Sequence, residues 1–495
     1  MLLGGVLTFS YAPFGQWWLP FVVLPLWLTL VAKHGESAFK TGWWFGLGFF
    51  GAGISWVHVS IATFGGVPLV VSVFLMLVLC SYLALFPAVF SRILKQYFPI
   101  ALWPLAAPGL WLASEWLRAN LLTGFPWLSV GYSQTNSPLQ SLFPLIGEIG
   151  VSALMLMFAA LIASSVVLKT KQSIFSSLTV TLVLCVTVFI AKQYVWVMET
   201  GETRTAALVQ GNIEQSIRWE PEQDRPIMEK YLALSEQAWG ADIVIWPEAA
   251  IPRLEVLATG FLSDLDRSAT SHNSALITGI VDVNLENDQA FNKLIALGLD
   301  TPTDNTSVYR YPSKNVFKKH HLLPIGEFVP FEALLRPLAP IFDLPMSSFS
   351  RGDYVQDNLM AKGILLAPAI CFEIAFPSQI LANIRPETDA IVTVSNDAWF
   401  GDSHGPHQHL QIARARAIEF GRPVLRATNT GLTAAYDHQG QILGRLAQFE
   451  DGVLQVEFPL VEGSTPYYRF GNAPMMLLGG LGISLALSMR FKKKF

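Results

Sequence analysis

Eight apolar stretches constrain this chain more than any other feature: roughly 1–13, 17–33, 41–64, 66–90, 98–121, 148–168, 174–194 and 474–491. Most approach the ~20 residues a helix needs to cross a bilayer. The first is short, begins at Met1, and lacks the basic leader and small-residue cleavage site of a signal peptide. The charges between the stretches fall in a pattern. Lys33 and Lys40 lie between the second and third, Arg92 and Lys95 between the fourth and fifth, and Lys169 and Lys171 between the sixth and seventh. Arg490, Lys492, Lys493 and Lys494 follow the eighth. Every second connection is therefore basic, as the positive-inside rule requires. That places both termini in the cytoplasm, and the long segment between stretches seven and eight outside it. A soluble protein with many core helices has no need of spans so long and so regularly punctuated.

Composition divides the chain the same way. It is 52% hydrophobic and 14% charged overall, but residues 1–195 hold only eight Lys or Arg and three Glu. Residues 1–195 read as a seven-span membrane domain, 196–470 as a catalytic domain, and 471–495 as a last span with a basic tail. A net charge of -4 with no basic face excludes nucleic acid as a partner. Of three cysteines, Cys80 and Cys185 sit in apolar runs, while Cys371 stands alone in the polar part, so no disulfide framework forms there.

Between about 200 and 465, short β-rich runs alternate with amphipathic helical patterns. The runs are Thr205–Val209, Ile243–Trp246, Ser274–Ile280, Ile364–Ile370, Ala390–Val394, Val424–Ala427 and Val453–Val456. Helical patterns lie around Met228–Ala238, Phe261–Ala269 and His409–Glu419. The alternation predicts an α/β domain with helices covering sheets.

Three strand ends carry titratable groups. Ile243–Trp246 leads through Pro247 to Glu248, where burial is expected to raise the carboxyl toward a useful base. Lys318-Lys319-His320-His321 opens an apolar loop that also holds Glu327. Ile364–Ile370 delivers Cys371, followed by Phe372 and Glu373. A thiol is mostly protonated near pH 7, and its thiolate is the nucleophile. Glu248 is suited to take that proton. Lys319 is suited to stabilise the thiolate and an oxyanion formed at a carbonyl. Glu327 and Glu373 are candidates to hold Lys319 charged and oriented. Singly each piece suits a surface turn or a buried filler; together, each at a strand end, they favour a site.

Other groups stay open. Glu115 and Arg118 suit either a functional intramembrane pair or a helix-end ion pair. The Gly124–Leu128 loop, with Trp127, suits a dip into the outer leaflet beside a lipid entry route, or ordinary interfacial anchoring. Asn396 and Asp397 either frame the pocket or cap a turn. His404, His407 and His409 near Asp402 read as a polar loop beside the site, because His404-Gly405-Pro406-His407 breaks any helical ligand face.

At these residues the chain resembles the nitrilase superfamily, which uses a Glu–Lys–Cys triad on an α/β/β/α sandwich. It resembles more specifically the membrane-embedded apolipoprotein N-acyltransferases. The segments that carry the likeness are Ser60–Phe64 with Gly65-Gly66, Gly124–Leu128, Val209–Ile213, Trp246-Pro247-Glu248, His321–Pro330, Ser347–Gly352 and Ser395–Gly401. The resemblance implies Glu248 as base, Lys319 rather than Lys318 as the triad lysine, and Cys371 as a nucleophile that becomes a thioester. It implies support from Glu327, Glu373 and Asn292, and substrate contact at Trp219, Phe372 and Trp127. The family often has Tyr after the cysteine; Phe372 offers no hydroxyl there, though its ring retains packing. The implied activity takes an acyl chain from a phospholipid to the N-terminal amine of a diacylglyceryl-cysteine on an apolipoprotein. It implies a bacterial inner-membrane monomer with its catalytic domain on the periplasmic face, and no metal or cofactor. Two rival classes share the same features: a membrane-tethered amidase that uses water, and a transporter or receptor with an inert nitrilase-like domain.

Overall fold

The computed structural model describes all residues except 35–36, 65, 67, 285–288, 299–308, 325, 329–348 and 493–495. Gly65, Ile325, Val329, Pro330, Ser347 and Ser348, named above, therefore lie outside the described residues. The chain divides into two units, Met1–Trp196 with Thr465–Phe495, and Val197–Ser464. The short Pro466–Phe470 helix thus belongs with the first unit, where Gly147 leaves room for the ring of Tyr467.

The first unit is helical. Four described helices are long and apolar enough to cross a bilayer: Leu69–Tyr97, Pro138–Leu168, Lys171–Gln193 and Ala473–Lys492. Ala38–Gly53 and Val57–Thr63 make a fifth if the pair, bent by 61°, is one span. The remaining stretches form shorter helices. Leu2–Leu7 is a helix of six residues, about 9 Å long, and cannot span a ~30 Å hydrocarbon core. Pro20–Lys33 has 14 residues. Trp103–Asn120 reaches 18 but carries Glu115 and Arg118.

Close backbone approach holds these helices together. A Cβ on Gly109 would lie 2.2 Å from the Gly479 carbonyl oxygen, so the two glycines let Trp103–Asn120 and Ala473–Lys492 touch. Trp27 stacks on Phe45 at 4.1 Å and meets Trp111 edge-on at 5.9 Å. Glu115 and Arg118 are buried and 3.8 Å apart. Arg118 donates to the carbonyls of Phe125 (2.8 Å) and Trp127, and Val130 N–H donates to Glu115 at 3.2 Å. Ser129 adds contacts to Glu115, Glu148 and Ser152. The pair therefore pins the following loop from inside and is not a solvated helix end.

The second unit has thirteen strands among the described residues. In chain order β1–β13 are Val197–Gln210, Ile243–Ile245, Ile251–Leu254, Ala275–Asn284, Gln289–Gly298, Val316–Lys318, Leu359–Ala361, Ile364–Ile370, Ala390–Ser395, Val424–Thr428, Ala434–Tyr436, Ile442–Arg445 and Gly452–Gly463. One sheet has the order β13-β1-β2-β4-β5-β6, with β3 beside β4; the other has β12-β11-β10-β9-β8-β7. The middle of each is parallel: β1-β2-β4 and β8-β9-β10.

Period-2 alternation builds the layers. Ala206, Leu208, Ile243, Ile245, Ala275 and Ile277 face Leu366, Ile370, Val392, Val394, Leu425 and Ala427 across one dry core. Val244 and Trp246 point the other way, onto the helices Asp224–Ser235 and Thr259–Ser271. Helices Pro377–Asn383 and Gly405–Phe420 belong to the second sheet's side. The result is an α/β/β/α sandwich. Every strand expected from the sequence is present.

Candidate active site

Parallel strands deliver polar residues at their carboxyl ends, the usual place for a site in an α/β sheet. β2 leads to Glu248, β8 to Cys371, and β9 to Asn396 and Asp397. The antiparallel strand β6 adds Lys319 just past its end, and β5 supplies Asn292.

Lys319 is 1% exposed. Its Nζ lies 2.8 Å from Glu327 Oε1 and 3.2 Å from Glu248 Oε1. Asn292 Nδ2 donates to the same two oxygens, at 3.1 and 2.8 Å. The second oxygen of Glu248 accepts from the Asn396 N–H at 3.1 Å. That of Glu327 accepts from the Leu323 N–H at 2.7 Å. The Lys319 N–H donates to the Asn292 carbonyl at 2.8 Å, which fixes the lysine to β5. Arg218 donates to the backbone carbonyls of Glu248 and Ala249 and so holds the Glu248 turn from behind. Gly279 makes the turn possible: a Cβ there would sit 2.3 Å from Ala249 N.

Cys371 has φ +54°, a left-handed conformation that costs a non-glycine residue about 1–2 kcal/mol. Its backbone is held on two sides. Glu373, fully buried, accepts from Ile370 N–H at 2.8 Å, just before the cysteine. Its other oxygen accepts from the His320 and His321 amides at 2.7 and 3.1 Å, just after Lys319, and from Gln379 at 2.8 Å. So Glu373 does not grip the Lys319 side chain, contrary to the sequence expectation; it staples the backbone beside Lys319 to the backbone beside Cys371. On the other side, His409 Nε2 lies 3.1 Å from the Cys371 carbonyl, which only accepts, so Nε2 carries the hydrogen.

The charges set the protonation states. Burial pushes the Glu248 carboxyl up, but Lys319, the Asn292 amide and Arg218 outweigh it and hold the group below the usual glutamate value. The expectation of a raised Glu248 is thus reversed, because the cation is packed against it. Burial lowers Lys319, and Glu248, Glu327 and Cys371 outweigh that, so the ammonium is held well above its ordinary value. Burial and then Glu248 push the Cys371 thiol far up; Lys319 and the Ser395 hydroxyl oppose this without prevailing. The resting site is therefore thiol, ammonium and carboxylates. Passing the thiol proton to Glu248 keeps the net charge of this buried set constant. Ionising the thiol to solvent would add a further negative charge beside two carboxylates.

A second buried set was missed by the sequence reading. Asp397 Oδ1 lies 3.0 Å from His409 Nδ1, and its Oδ2 accepts from Arg426 at 2.6 Å. Ser395 Oγ donates to Asp397 at 2.5 Å. Burial raises Asp397, but Arg426 and His409 pull it far below the carboxylate range. His409 is lowered, by burial and then by Arg426. The signal was available: Arg426 stands alone between apolar neighbours in β10, and such a cation needs a buried partner. Asp397 thus frames the site instead of capping a turn. His407 and His409 both lie on the Gly405–Phe420 helix, not in a polar loop; His409 is buried in this set, while His404 and His407 remain partly exposed.

The remaining candidates are spread out. Phe372 is buried, edge-on to Phe376 at 5.0 Å. Trp219 is 36% exposed, with the Arg218 guanidinium 5.8 Å from its ring centroid. Trp127 belongs to the helical unit, where it is 1% exposed and packed on Trp56 at 5.6 Å.

Fold and site define a carbon–nitrogen hydrolase domain carried by a helical unit with membrane-spanning helices. The carbon-nitrogen hydrolase family matches residues 205–465, and the apolipoprotein N-acyltransferase N-terminal domain matches residues 3–161. The chain is 46% identical to the apolipoprotein N-acyltransferase of Vibrio vulnificus, over 98% of this chain and 95% of that one. It is 45% identical to the enzyme of that name from Shewanella oneidensis, over 100% of this chain and 95% of the other. With the Haemophilus influenzae enzyme it shares 37%, over 100% and 95%. The chain belongs to the apolipoprotein N-acyltransferase family, and is an acyltransferase.

Proposed function

We propose that this enzyme moves a fatty acyl group from a phospholipid, through a thioester on Cys371, to the N-terminal amine of a diacylglyceryl-cysteine on an apolipoprotein. The observation that carries this is the Lys319 ammonium bridging Glu248 and Glu327, in a chain of this family.

In the first half-reaction Cys371 Sγ attacks the ester carbonyl while Glu248 takes the thiol proton. The oxyanion develops beside Lys319, whose raised pKa keeps it a cation throughout. The C–O bond breaks, Glu248 returns the proton to the leaving alkoxide, and a lysophospholipid departs. In the second half the acceptor α-amine attacks the thioester carbonyl, Glu248 takes a proton from the amine, the C–S bond breaks, and the proton returns to the thiolate. The product is an amide. Glu327 and Asn292 hold the carboxylate–ammonium geometry, and Glu373 positions the two backbones. Trp219 and Phe372 contact substrate, Phe372 by packing alone. Water must be excluded during the thioester's lifetime, or the acyl group is lost as fatty acid. The enzyme acts as a monomer in the bacterial inner membrane, with the catalytic unit on the periplasmic face.

The test is the intact mass of wild type and Cys371→Ala after incubation with phospholipid. Wild type should gain one acyl group per chain and lose it when a diacylated peptide is added, with the peptide gaining the same mass. No adduct on wild type under single-turnover conditions sinks the thioester. Fatty-acid release with no peptide acylation makes the protein a hydrolase.

A further inference from the structure

We infer that the basic end of the helical unit holds a second lipid site, one that binds the phosphate of an anionic phospholipid headgroup. A cavity of about 370 Å³ opens where helices Pro20–Lys33, Leu69–Tyr97 and Ala473–Lys492 end. Its walls include Ala32, Lys95, Tyr97, Trp103, Val167 and Arg490, and none of the groups proposed for catalysis.

Both cations meet only neutral protein groups. Lys95 Nζ donates to the Ala32 carbonyl at 2.7 Å, and Arg490 Nη1 to the Tyr97 carbonyl at 2.6 Å. Each is thereby oriented, while most of its N–H donors have no protein acceptor. Neither Lys95 nor Arg490 has a carboxylate partner among the described residues. More cations follow the same helix ends: Lys33 after Ala32, Arg92 one turn before Lys95, and Lys492 after Arg490. Among the described residues no carboxylate lines the cavity.

The rest of the wall fits a lipid better than a free ion. Val167, Pro99, Ile100 and Trp103 give an apolar side for a glycerol backbone and the first acyl carbons. Tyr97, 46% exposed and under the Arg490 guanidinium, is the kind of residue that sits at headgroup level. Basic pockets between helix ends hold anionic headgroups by such means. A zwitterionic headgroup brings its own cation into a site that already has two, and is disfavoured.

The experiment uses delipidated full-length protein in neutral detergent and three probes: phosphatidylglycerol, phosphatidylcholine and inorganic phosphate. Phosphatidylglycerol should raise Tm by several degrees and remain as an adduct in native mass spectra, and phosphatidylcholine should do neither. K95Q/R490Q should weaken that binding at least tenfold and leave peptide acylation intact. K95Q alone replaces it if the double variant fails to fold, with a threefold loss or more expected. Equal effects of both lipids overturn the proposal, as does an undiminished adduct on the folded variant. Stabilisation by inorganic phosphate at the same concentration would make the site one for a free anion, and overturns the lipid assignment.

Discussion

Asn292 offers one amide group to two carboxylates, and this makes it a sensitive position in the catalytic unit. Asn292→Ala should leave the Glu248 and Glu327 oxygens repelling each other across Lys319, and lower kcat/KM ten- to a hundredfold, about 1.4–2.7 kcal/mol of barrier. Asn292→Asp adds a third carboxylate and should do worse; equal rates for the two variants would remove the amide's assigned part. The protonation states also fix a pH profile. Glu248 is held low and the Cys371 thiol high. Acylation should therefore be level across neutrality, with its acid limb below the ordinary glutamate range. A limb near pH 7 in kcat/KM would contradict that ordering. Stability behaves differently. Burial, with the ring stacked on Phe376 at 3.9 Å, lowers His321 to about 4 from 6.5. The unfolded chain then binds the proton first, so His321 contributes fully above pH 6.5 and its contribution is lost as pH falls toward 4. Between pH 6.5 and 5 the loss is about 1.6 kcal/mol. Thermal unfolding of wild type against His321→Gln should show it as a steeper decline in the wild type.

At the scale of elements, the site depends on how closely β4 approaches the Glu248 turn. Gly279 lies on β4, and its N–H donates to Pro247 at 3.2 Å. An added methyl would collide with Ala249 N and the Pro247 carbonyl. Gly279→Ala should cost about 1–3 kcal/mol from overpacking. A displacement of Glu248 by an ångström should cost about a hundredfold in rate. Loss of stability with unchanged kcat/KM would show that the turn relaxes without moving the carboxylate. The apolar strand runs were legible because buried parallel strands are continuous in hydrophobicity, as in Ile364–Ile370 and Ala390–Ser395. The antiparallel partner β5 was missed, since Gln289–Gly298 mixes polar and apolar residues and its burial comes from pairing with β4. Glu248, Lys319 and Cys371 were legible by position at strand ends. The Asp397–His409–Arg426 set was not, because its members lie on a turn, a helix and a strand, and only the fold brings them together.

At the scale of the whole molecule, the chain combines water-facing and lipid-facing chemistry. The proposed placement of the catalytic unit outside the cytoplasm, which rests on the loop charges, is directly testable. Glu222 is exposed and holds no described partner. In a Cys185→Ser, Cys371→Ala background, Glu222→Cys should react with a membrane-impermeant thiol reagent in intact spheroplasts. Reaction only after lysis would reverse the orientation. Length and apolarity alone found the long spans. They do not reveal where a helix stops or bends: Leu2–Leu7 ends early, and the Ala38–Gly53 helix bends before Val57.

The Glu373 staple has a consequence for variation. Cys371 and Lys319 come from different sheets, more than fifty residues apart in sequence, yet both are referenced to one carboxylate through three backbone amides. A shared datum of this kind makes positional errors common to both parts. Drift in either sheet moves thiol and ammonium together, so their separation survives substitutions that shift each of them. Loops around the site are then free to diverge as lipid or peptide preferences change, provided the side chain at position 373 keeps two acceptor oxygens.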